Sequence, residues 1–346
     1  MLSELAQTIR YIPLTNDILF SNIVSLQLCE SKIVAYTVPV GLLTFNLNGE
    51  LLSRIGRKGR GPGEFKWGHM FTIDRNNKII YILDKTQILK YSMDGRFLGE
   101  IPINCVEKNF SEIIFSESKL YLYEGINLGY GKFNWVVIDT LGKVLSSKYN
   151  LIEKFPSTQY LLGNKQESFN NRVYYWNQIN DTIYRIENEK PSPEFLFAQG
   201  DFRFPKIWKI DYSEYFYPQK IFFTKDFLFL TYLYHSAYYT GLFSKKENKF
   251  YAINKSLDKS QFLGPGIYND IDMGLPLVPL SYYCDKNQEE FLIGTVNSYQ
   301  LKAHIASEAF KNSKPKYPEK KKELEKLANS LSENDNPVLM VVKLKE

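Results

Sequence analysis

The sequence predicts an all-β fold, a six-bladed β-propeller built from four-stranded antiparallel blades. Three features predict it: an apolar, aromatic-rich composition, runs of alternating strand residues, and a repeat of 46 to 47 residues. Hydrophobic residues make up 44% of the 346 residues and aromatic residues 15%, which is enough to form a large core. Repeats of about 40 to 50 residues with four strands each are typical of propeller blades, because a sheet that is apolar on both faces must stack against similar sheets.

The repeat is marked by three turns that contain glycine: Asn48-Gly49, Asp94-Gly95 and Leu141-Gly142. Each turn separates two runs of alternating apolar residues. Asn-Gly and Asp-Gly favour tight hairpins, since a type I′ turn needs positive φ at both central residues. Two further strand patterns precede each hairpin: Ile23–Leu28 and Lys32–Thr37, then Met70–Asp74 and Lys78–Leu83, then Glu112–Ser116 and Lys119–Tyr123.

Three less regular units complete the six blades. The fourth is predicted from the strand patterns Arg172–Trp176, Thr182–Glu187 and Glu194–Phe197. The fifth is predicted from Lys220–Phe223, Phe227–Tyr234, Tyr239–Phe243 and Phe250–Ile253. The sixth has only three, Ile267–Asp272, Leu277–Tyr283 and Pro337–Leu344. An open ring would leave unpaired edges, so we expect the N-terminal strand, Thr8–Leu14, to complete the last blade as its outer strand. One domain spanning residues 1–346 is therefore expected.

A helical insertion is predicted near the C-terminus, over Lys311–Asn336. Leu324, Leu327, Ala328 and Leu331 have the spacing of an amphipathic helix, and Pro318 suits its first turn. Residues 311–326 contain seven lysines and three glutamates. A solvated helix face is the favoured interpretation, and a membrane or nucleic-acid contact is the alternative.

The composition excludes several function classes. A net charge of +5 is small for this length and does not favour nucleic acid as a partner. The cysteines, Cys29, Cys105 and Cys284, are widely spaced and predict neither a disulfide scaffold nor a zinc site. Residues 1–17 lack the apolar run of a secretory signal, and a leader or lipid anchor removed beforehand stays an alternative.

The densest motif is the glycine-rich stretch Arg54–Phe65, RIGRKGRGPGEF. It is not a phosphate-binding loop, because Gly63 is followed by Glu64 and Phe65 and no βαβ context exists. Its glycines favour a sharp crossing between blades, with Phe65 inserted between them. The alternative is a binding surface at the propeller mouth, for which the candidate ligand-binding residues are Arg57, Arg60, Trp67 and His69.

Four segments resemble a known family. Leu43–Phe65 is similar to the blade boundaries of NHL-type propellers and, more closely, to six-bladed β-propeller proteins abundant in Bacteroides. The other three are Asn180–Arg185, Tyr268–Gly274 (where glycine is expected in place of Met273) and Asn334–Leu339. The resemblance implies a propeller over nearly the whole chain. It also implies a place in the cell envelope, because many relatives look like exported, lipid-anchored proteins.

A metal site is a second candidate. Asp270 and Asp272 would point the same way on a strand, and with Asn269 they offer oxygen ligands suited to Ca²⁺. Calcium-dependent lactonases of the gluconolactonase type use such residues in a propeller channel. The favoured interpretation is a turn in which the Asp side chains bind nearby backbone N–H groups.

We therefore predict a non-catalytic binding or scaffold module of the cell envelope, with no required cofactor. Its expected partner is a small molecule, a glycan or a protein. No Ser or Cys has a local signature of nucleophilic catalysis, and the aromatic run Tyr232–Tyr239 is either a sugar-stacking wall or blade packing. The alternatives are a metal-dependent hydrolase or lactonase and a purely structural platform.

Overall fold

A computed structural model describes residues 1–84, 87–103, 110–124, 132–149, 165–169, 172–176, 181–187, 189–197, 215–235, 237–256 and 266–345. These residues contain six four-stranded antiparallel sheets, the blades of the predicted all-β propeller. The chain forms two compact units, one of Met1–Ile55 with Pro265–Glu346 (unit 1) and the other of Gly56–Gly264 (unit 2). A single domain over residues 1–346 stays a prediction.

Unit 1 begins with helix α1, Leu2–Leu5, and strand β1, Ala6–Pro13. A complete sheet follows in the order β2 Asn22–Cys29, β3 Lys32–Val38, β4 Gly41–Asn46 and β5 Leu51–Ile55. A hairpin joins β4 and β5 as predicted, and Gly49 has a φ of 87°. Asn48 does not have positive φ, so the type I′ turn predicted from Asn48-Gly49 is wrong.

Unit 2 opens with a short parallel pair, β6 Arg57–Lys58 and β7 Glu64–Phe65. Four sheets follow, each with its strands paired in sequence order. Their strands are β8 Phe71–Asp74, β9 Ile79–Asp84, β10 Gln87–Ser92, β11 Phe97–Pro102; β12 Phe110–Ser116, β13 Lys119–Glu124, β14 Phe133–Asp139, β15 Val144–Tyr149; β16 Lys165–Phe169, β17 Arg172–Trp176, β18 Thr182–Glu187, β19 Lys190–Leu196; β20 Tyr217–Phe223, β21 Phe227–Tyr234, β22 Ala237–Ser244, β23 Lys249–Ser256.

The last sheet of unit 1 joins both ends of the chain. Its strands are β24 Ser281–Cys284, β25 Glu290–Val296 and β26 Val338–Leu344, and β1 pairs antiparallel with β26. The predicted outer position of the N-terminal strand is confirmed. The strand predicted at Ile267–Asp272 is wrong: the segment is a turn with one bridge, between Ile267 and Leu277.

The helical segment is longer than predicted. It lies between β25 and β26 and contains α2 Ser298–Ala306, α3 Glu308–Lys311 and α4 Pro318–Ser330, so it begins before Lys311. Pro318 occupies the first turn of α4, and Leu324 and Ala328 are buried, as the apolar spacing predicts. No helix in the described part of the chain is both long and apolar enough to cross a membrane.

The core of each unit lies between neighbouring sheets. In unit 1, Ile33, Ala35 and Leu43 pack with Ile293 and Leu339 from the sheet that contains both ends of the chain. Alternate residues of a strand point to opposite faces, so the apolar runs of the central strands cover both sides of each sheet. First strands of successive sheets lie side by side within each unit, β2 beside β24 in unit 1 and β8 beside β12 in unit 2.

Candidate functional site

The glycine-rich loop is organised around one carboxylate, that of Glu64. Its oxygens accept hydrogen bonds from Arg57 Nε at 2.6 Å and from the backbone N–H groups of Arg60 and Gly61 at 2.9 and 2.8 Å. The Gly61 N–H, with the Arg57 guanidinium, lowers the pKa of Glu64. A Cβ atom at Gly59 would lie 1.9 Å from Glu64 Oε2, so the loop closes this tightly only with glycine there.

Phe65 fills the space beneath the loop, and its predicted insertion between blades stays a prediction. It is almost fully buried, and Cβ atoms at Gly56 and Gly68 would lie 2.9 and 2.4 Å from its ring. The Tyr91 hydroxyl donates to the Gly63 carbonyl. These contacts support the structural interpretation of the motif.

The four residues predicted to contact a ligand differ in their surroundings. Arg57 is held by Glu64, whereas the Arg60 side chain is exposed. Trp67 keeps 51% of its surface exposed and meets the edge of His69, with ring centroids 6.3 Å apart. Burial lowers the pKa of His69. Trp67 and His69 therefore lie together at the surface, and their role in ligand binding stays a prediction.

The predicted calcium ligands lie in a tight turn rather than on a strand. Asp270 accepts hydrogen bonds from Ser3 N and Ser3 Oγ, at 2.8 and 2.6 Å. Partial burial alone would raise the pKa of Asp270, but these two hydrogen bonds hold it below its ordinary value. The Asp270 carbonyl also accepts from Lys316 N at 2.8 Å. Asp270 thus ties the N-terminal helix and the segment before α4 to this turn.

Asp272 points into the protein and is 1% exposed. Its Oδ1 accepts from Asn269 Nδ2 at 2.6 Å and from Gly274 N at 2.8 Å. Its Oδ2 is buried without a hydrogen-bond partner. Burial raises the pKa of Asp272. Since Asp270 and Asp272 bind different parts of the chain, the prediction that they point the same way is wrong.

The described residues contain no group of three or more His, Cys, Asp or Glu side chains placed to hold a metal ion. Ca²⁺ binding by Asn269, Asp270 and Asp272 stays a prediction. Met273 has a φ of 62°, in the left-handed region, which explains why glycine is expected at that position. Its carbonyl lies 2.8 Å from His304 Nε2 of α2, a contact that fixes the turn.

A cavity lies in unit 2, and two residues of the aromatic run Tyr232–Tyr239, Tyr232 and Tyr234, line it. Its volume is about 510 Å³, and it lies between the sheet β16–β19 and the sheet β20–β23. Most of the described residues that line it are aromatic, and none is charged: Phe195, Leu196, Phe197, Phe216, Leu228, Leu230, Tyr232, Tyr234, Phe243 and Phe250. We call this the aromatic cavity.

Strand alternation builds one wall of the aromatic cavity. Leu228, Leu230, Tyr232 and Tyr234 occur at every second position of β21, so they share one face of the sheet. A Cβ atom at Gly241 of β22 would lie 2.1 Å from the Phe250 ring. Gly241 therefore allows the Phe250 ring to approach the backbone of β22 closely.

Stacked rings hold the aromatic cavity in shape. Tyr232 stacks on Tyr239, with centroids 5.2 Å apart and planes 10° apart, and lies 4.7 Å from Phe216. Phe197 stacks on the buried Trp176 at 4.9 Å. Tyr232 thus packs within its blade, as the packing alternative for Tyr232–Tyr239 predicts, and it also lines the cavity. A sugar-stacking role of this run stays a prediction.

The comparisons with known proteins identify the family. A family model described as "domain of unknown function (DUF4934)" matches residues 1–343. The chain belongs to this family. No curated protein matches the chain.

Solved structures are similar to this DUF4934 protein over almost its whole length. One from Bacteroides fragilis, described as a "putative exported protein", has 20% identity and a TM-score of 0.72 over 100% of this chain and 96% of its own. A DUF4221-family protein from Bacteroides vulgatus has 8% identity and a TM-score of 0.56 over 99% and 98%. The WD40 repeats of RRP9 have 11% identity and a TM-score of 0.50 over 97% and 100%.

At these identities the similarity shows the fold alone, and it confirms the propeller and the predicted likeness to Bacteroides proteins. The NHL label is not tested by these matches and stays a prediction.

Proposed function

We propose that this protein is a non-catalytic binding module whose ligand site is the aromatic cavity of unit 2. The observation that carries the proposal is the cavity itself, about 510 Å³ and lined by apolar and aromatic side chains. Volumes of about 300 to 1,000 Å³ are usual for sites that take drug-sized molecules. The lining residues in the described part of the chain include no charged group or histidine that would act as an acid, base or nucleophile.

The proposal includes a place in the cell envelope. It is supported by the similarity to a Bacteroides fragilis protein described as exported. Fractionation of cells that express the natural gene tests it, with the protein expected outside the cytoplasmic fraction. Recovery in the cytoplasmic fraction would contradict it.

A fluorescent probe tests the binding site directly. N-phenyl-1-naphthylamine is uncharged and becomes bright in apolar surroundings, so the wild-type protein should enhance its emission in a saturable way. Leu196 lies at the rim with 75% of its surface exposed, and Leu196→Asp should weaken probe binding about 3-fold or more, because it brings an unpaired charge to an apolar site.

Leu141→Asp is the matched control. Leu141 is 84% exposed in unit 2 and does not line the aromatic cavity, so its replacement should leave probe binding unchanged. Both variants should fold, since substitutions at exposed positions change stability by about 0.5 kcal/mol or less. Equal probe affinity in the two variants, or no saturable signal in the wild type, would refute the proposed site.

The surface around Trp67 and His69 is retained as a second proposed contact region, suited to a protein or glycan partner. Its support is the half-exposed Trp67 ring beside His69, in a loop that Glu64 makes rigid. Exposed aromatic residues are common in binding surfaces, because they offer a large apolar area at a small entropy cost.

A further inference from the structure

The lining of the aromatic cavity restricts the charge of its ligand. None of the described lining residues is charged, so an ionic ligand would bring its charge into apolar surroundings without a counter-ion. Such a transfer is costly even when the ion retains part of its hydration. The cavity therefore favours an uncharged molecule.

The stacked rings restrict the shape of the ligand. Phe216 and Tyr232, whose ring centroids are 4.7 Å apart, both line the cavity and form a wall on which a further flat ring can stack or meet an edge. A sugar also stacks on aromatic rings, but it carries many hydroxyl groups. The described lining offers only the two phenol hydroxyls of Tyr232 and Tyr234, so most sugar hydroxyls would lose water without replacement.

Tyr232 supplies the polar contact. It is mostly buried, and burial, followed by the proximity of Tyr239, raises the pKa of its phenol, so the hydroxyl stays protonated at neutral pH. A phenol hydroxyl can donate one hydrogen bond and also accept one. Among the residues that the structure describes, none forms a hydrogen bond with this hydroxyl, which leaves both capacities for a ligand.

We infer that the ligand is an uncharged, ring-containing small molecule with a hydroxyl or carbonyl group, and that the Tyr232 hydroxyl binds that group. This inference rests on the proposed binding function and narrows the ligand to a chemical class that includes phenols, quinones and polycyclic alcohols. Tyr232 is then the residue that separates such ligands from plain hydrocarbons of the same shape.

Three probes of one ring system test the inference: naphthalene, 2-naphthol and 2-naphthoate, each titrated as a competitor of N-phenyl-1-naphthylamine. In the wild type, 2-naphthol should bind about 2- to 12-fold more tightly than naphthalene, the effect of one net hydrogen bond. The anionic 2-naphthoate should bind most weakly of the three.

Tyr232→Phe is the decisive variant because it removes one oxygen and keeps the ring. It should abolish the preference for 2-naphthol while leaving naphthalene affinity within about 2-fold. Tyr239→Phe is the matched control, because Tyr239 stacks on Tyr232 but does not line the aromatic cavity, and it should keep the preference. Thermal midpoints of both variants check that the fold is intact.

The outcomes separate this inference from the proposed function. Equal affinity for 2-naphthol and naphthalene in the wild type, or a preference that survives in Tyr232→Phe, overturns the role of Tyr232 while the site stands. Tightest binding of 2-naphthoate overturns the uncharged ligand. Failure of all three probes to compete, together with unchanged behaviour of Leu196→Asp, overturns the site itself.

Discussion

Replacing Asp272 by asparagine is expected to leave the protein about as stable at neutral pH, although Asp272 is 1% exposed and hydrogen-bonded. Its Oδ2 has no hydrogen-bond partner, and an unpaired buried oxygen costs about 1 to 3 kcal/mol, or more when it is charged. Asparagine removes the charge, keeps the oxygen that accepts from Asn269 and Gly274, and places a neutral amide NH2 where Oδ2 lies. The substitution therefore removes the cost of burying the charge, and it also removes the extra strength that the charge gives to the two hydrogen bonds.

The hydrogen-bond strength that is lost is similar in size to the burial cost that is removed. Hydrogen bonds to a charged group contribute about 1.5 to 3 kcal/mol and neutral ones about 0.5 to 1.5, so two bonds that lose their charge weaken by about 2 kcal/mol together. Subtracting this from the cost removed gives a net change within about 1 kcal/mol. Asp272→Ala instead loses both bonds and leaves their donors buried, and should lower the free energy of unfolding by about 2 to 4 kcal/mol.

The pH dependence gives a sharper test. Because burial raises the pKa of Asp272, its folded state holds the proton more tightly than its unfolded state. The contribution of Asp272 to stability is then fully present below the ordinary pKa of Asp, about 4, and is lost as the pH rises through the folded pKa. The free energy of unfolding of Asp272→Asn should therefore rise relative to wild type as the pH rises from about 4.

Neighbouring groups do not reverse this sign. Asp270, whose pKa is lowered, loses its contribution as the pH falls, but it is present in both proteins and cancels in their difference. Tyr11, whose pKa burial raises well above its ordinary value, stays neutral over this range. His304, on α2, contacts the Met273 carbonyl, a backbone group that both proteins share.

Urea unfolding of both proteins between about pH 4 and pH 8 measures the effect. Asp285→Asn is the matched control, since Asp285 also accepts two backbone N–H bonds at 2.8 Å but is half-exposed. This control measures the effect of exchanging a carboxylate for an amide in a turn that is not fully buried. A loss above about 3 kcal/mol in Asp272→Asn at pH 7 would refute the argument, and added Ca²⁺ that stabilises wild type alone would favour the calcium site.

Two further predictions concern side chains that the sequence singles out. Asn336→Ala should lower the free energy of unfolding by about 2 to 4 kcal/mol, because the buried Asn336 side chain forms hydrogen bonds with three backbone groups between residues 15 and 20. Urea unfolding measures this loss, and Asn334→Ala, at an exposed position, is the control. The double variant Arg60→Ala with Trp67→Ala should leave the thermal midpoint nearly unchanged, because both side chains are exposed. Phe65→Ala should instead lower the free energy of unfolding by about 3 to 5 kcal/mol, because Phe65 is buried. A large loss of stability in the double variant would assign the loop surface a structural role.

The sequence predicts those parts of the fold in which one short segment determines its own structure. The hairpins at Gly49, Gly95 and Gly142 form where the sequence predicts them, and each glycine has a φ near 90°. The residue before each glycine lacks positive φ, so the turns are not of the predicted type I′. The amphipathic spacing locates α4, and the apolar N-terminal strand is correctly placed beside β26. The turn Asn180-Asp181 lies partly outside the described residues.

The prediction fails in the sixth blade, where side-chain chemistry overrides the apolar pattern. Tyr268–Asp272 alternates like a strand, but Asn269 and Asp272 accept hydrogen bonds from the nearby Ile271 and Gly274 N–H groups and hold the chain in a turn. Asp270 binds Ser3 instead. As a result, the true strand Glu290–Val296 and helix α2 are missed. The aromatic cavity is not predictable either, because its lining residues read as ordinary core residues until two sheets come together.

The motifs and the cavity together explain why the family resemblance predicts the fold better than the function. The polar residues that carry the resemblance, such as Glu64, Asp272 and Asn336, bind backbone groups of turns and crossings. Such residues determine how blades connect, so sharing them implies a shared scaffold. Under the proposed function, ligand chemistry resides instead in cavity-lining positions such as Tyr232, where loss of one oxygen is expected to change what is bound and leave the scaffold intact. Propellers with the same motifs can therefore bind different molecules, and the residues lining the cavity are the ones to compare between them.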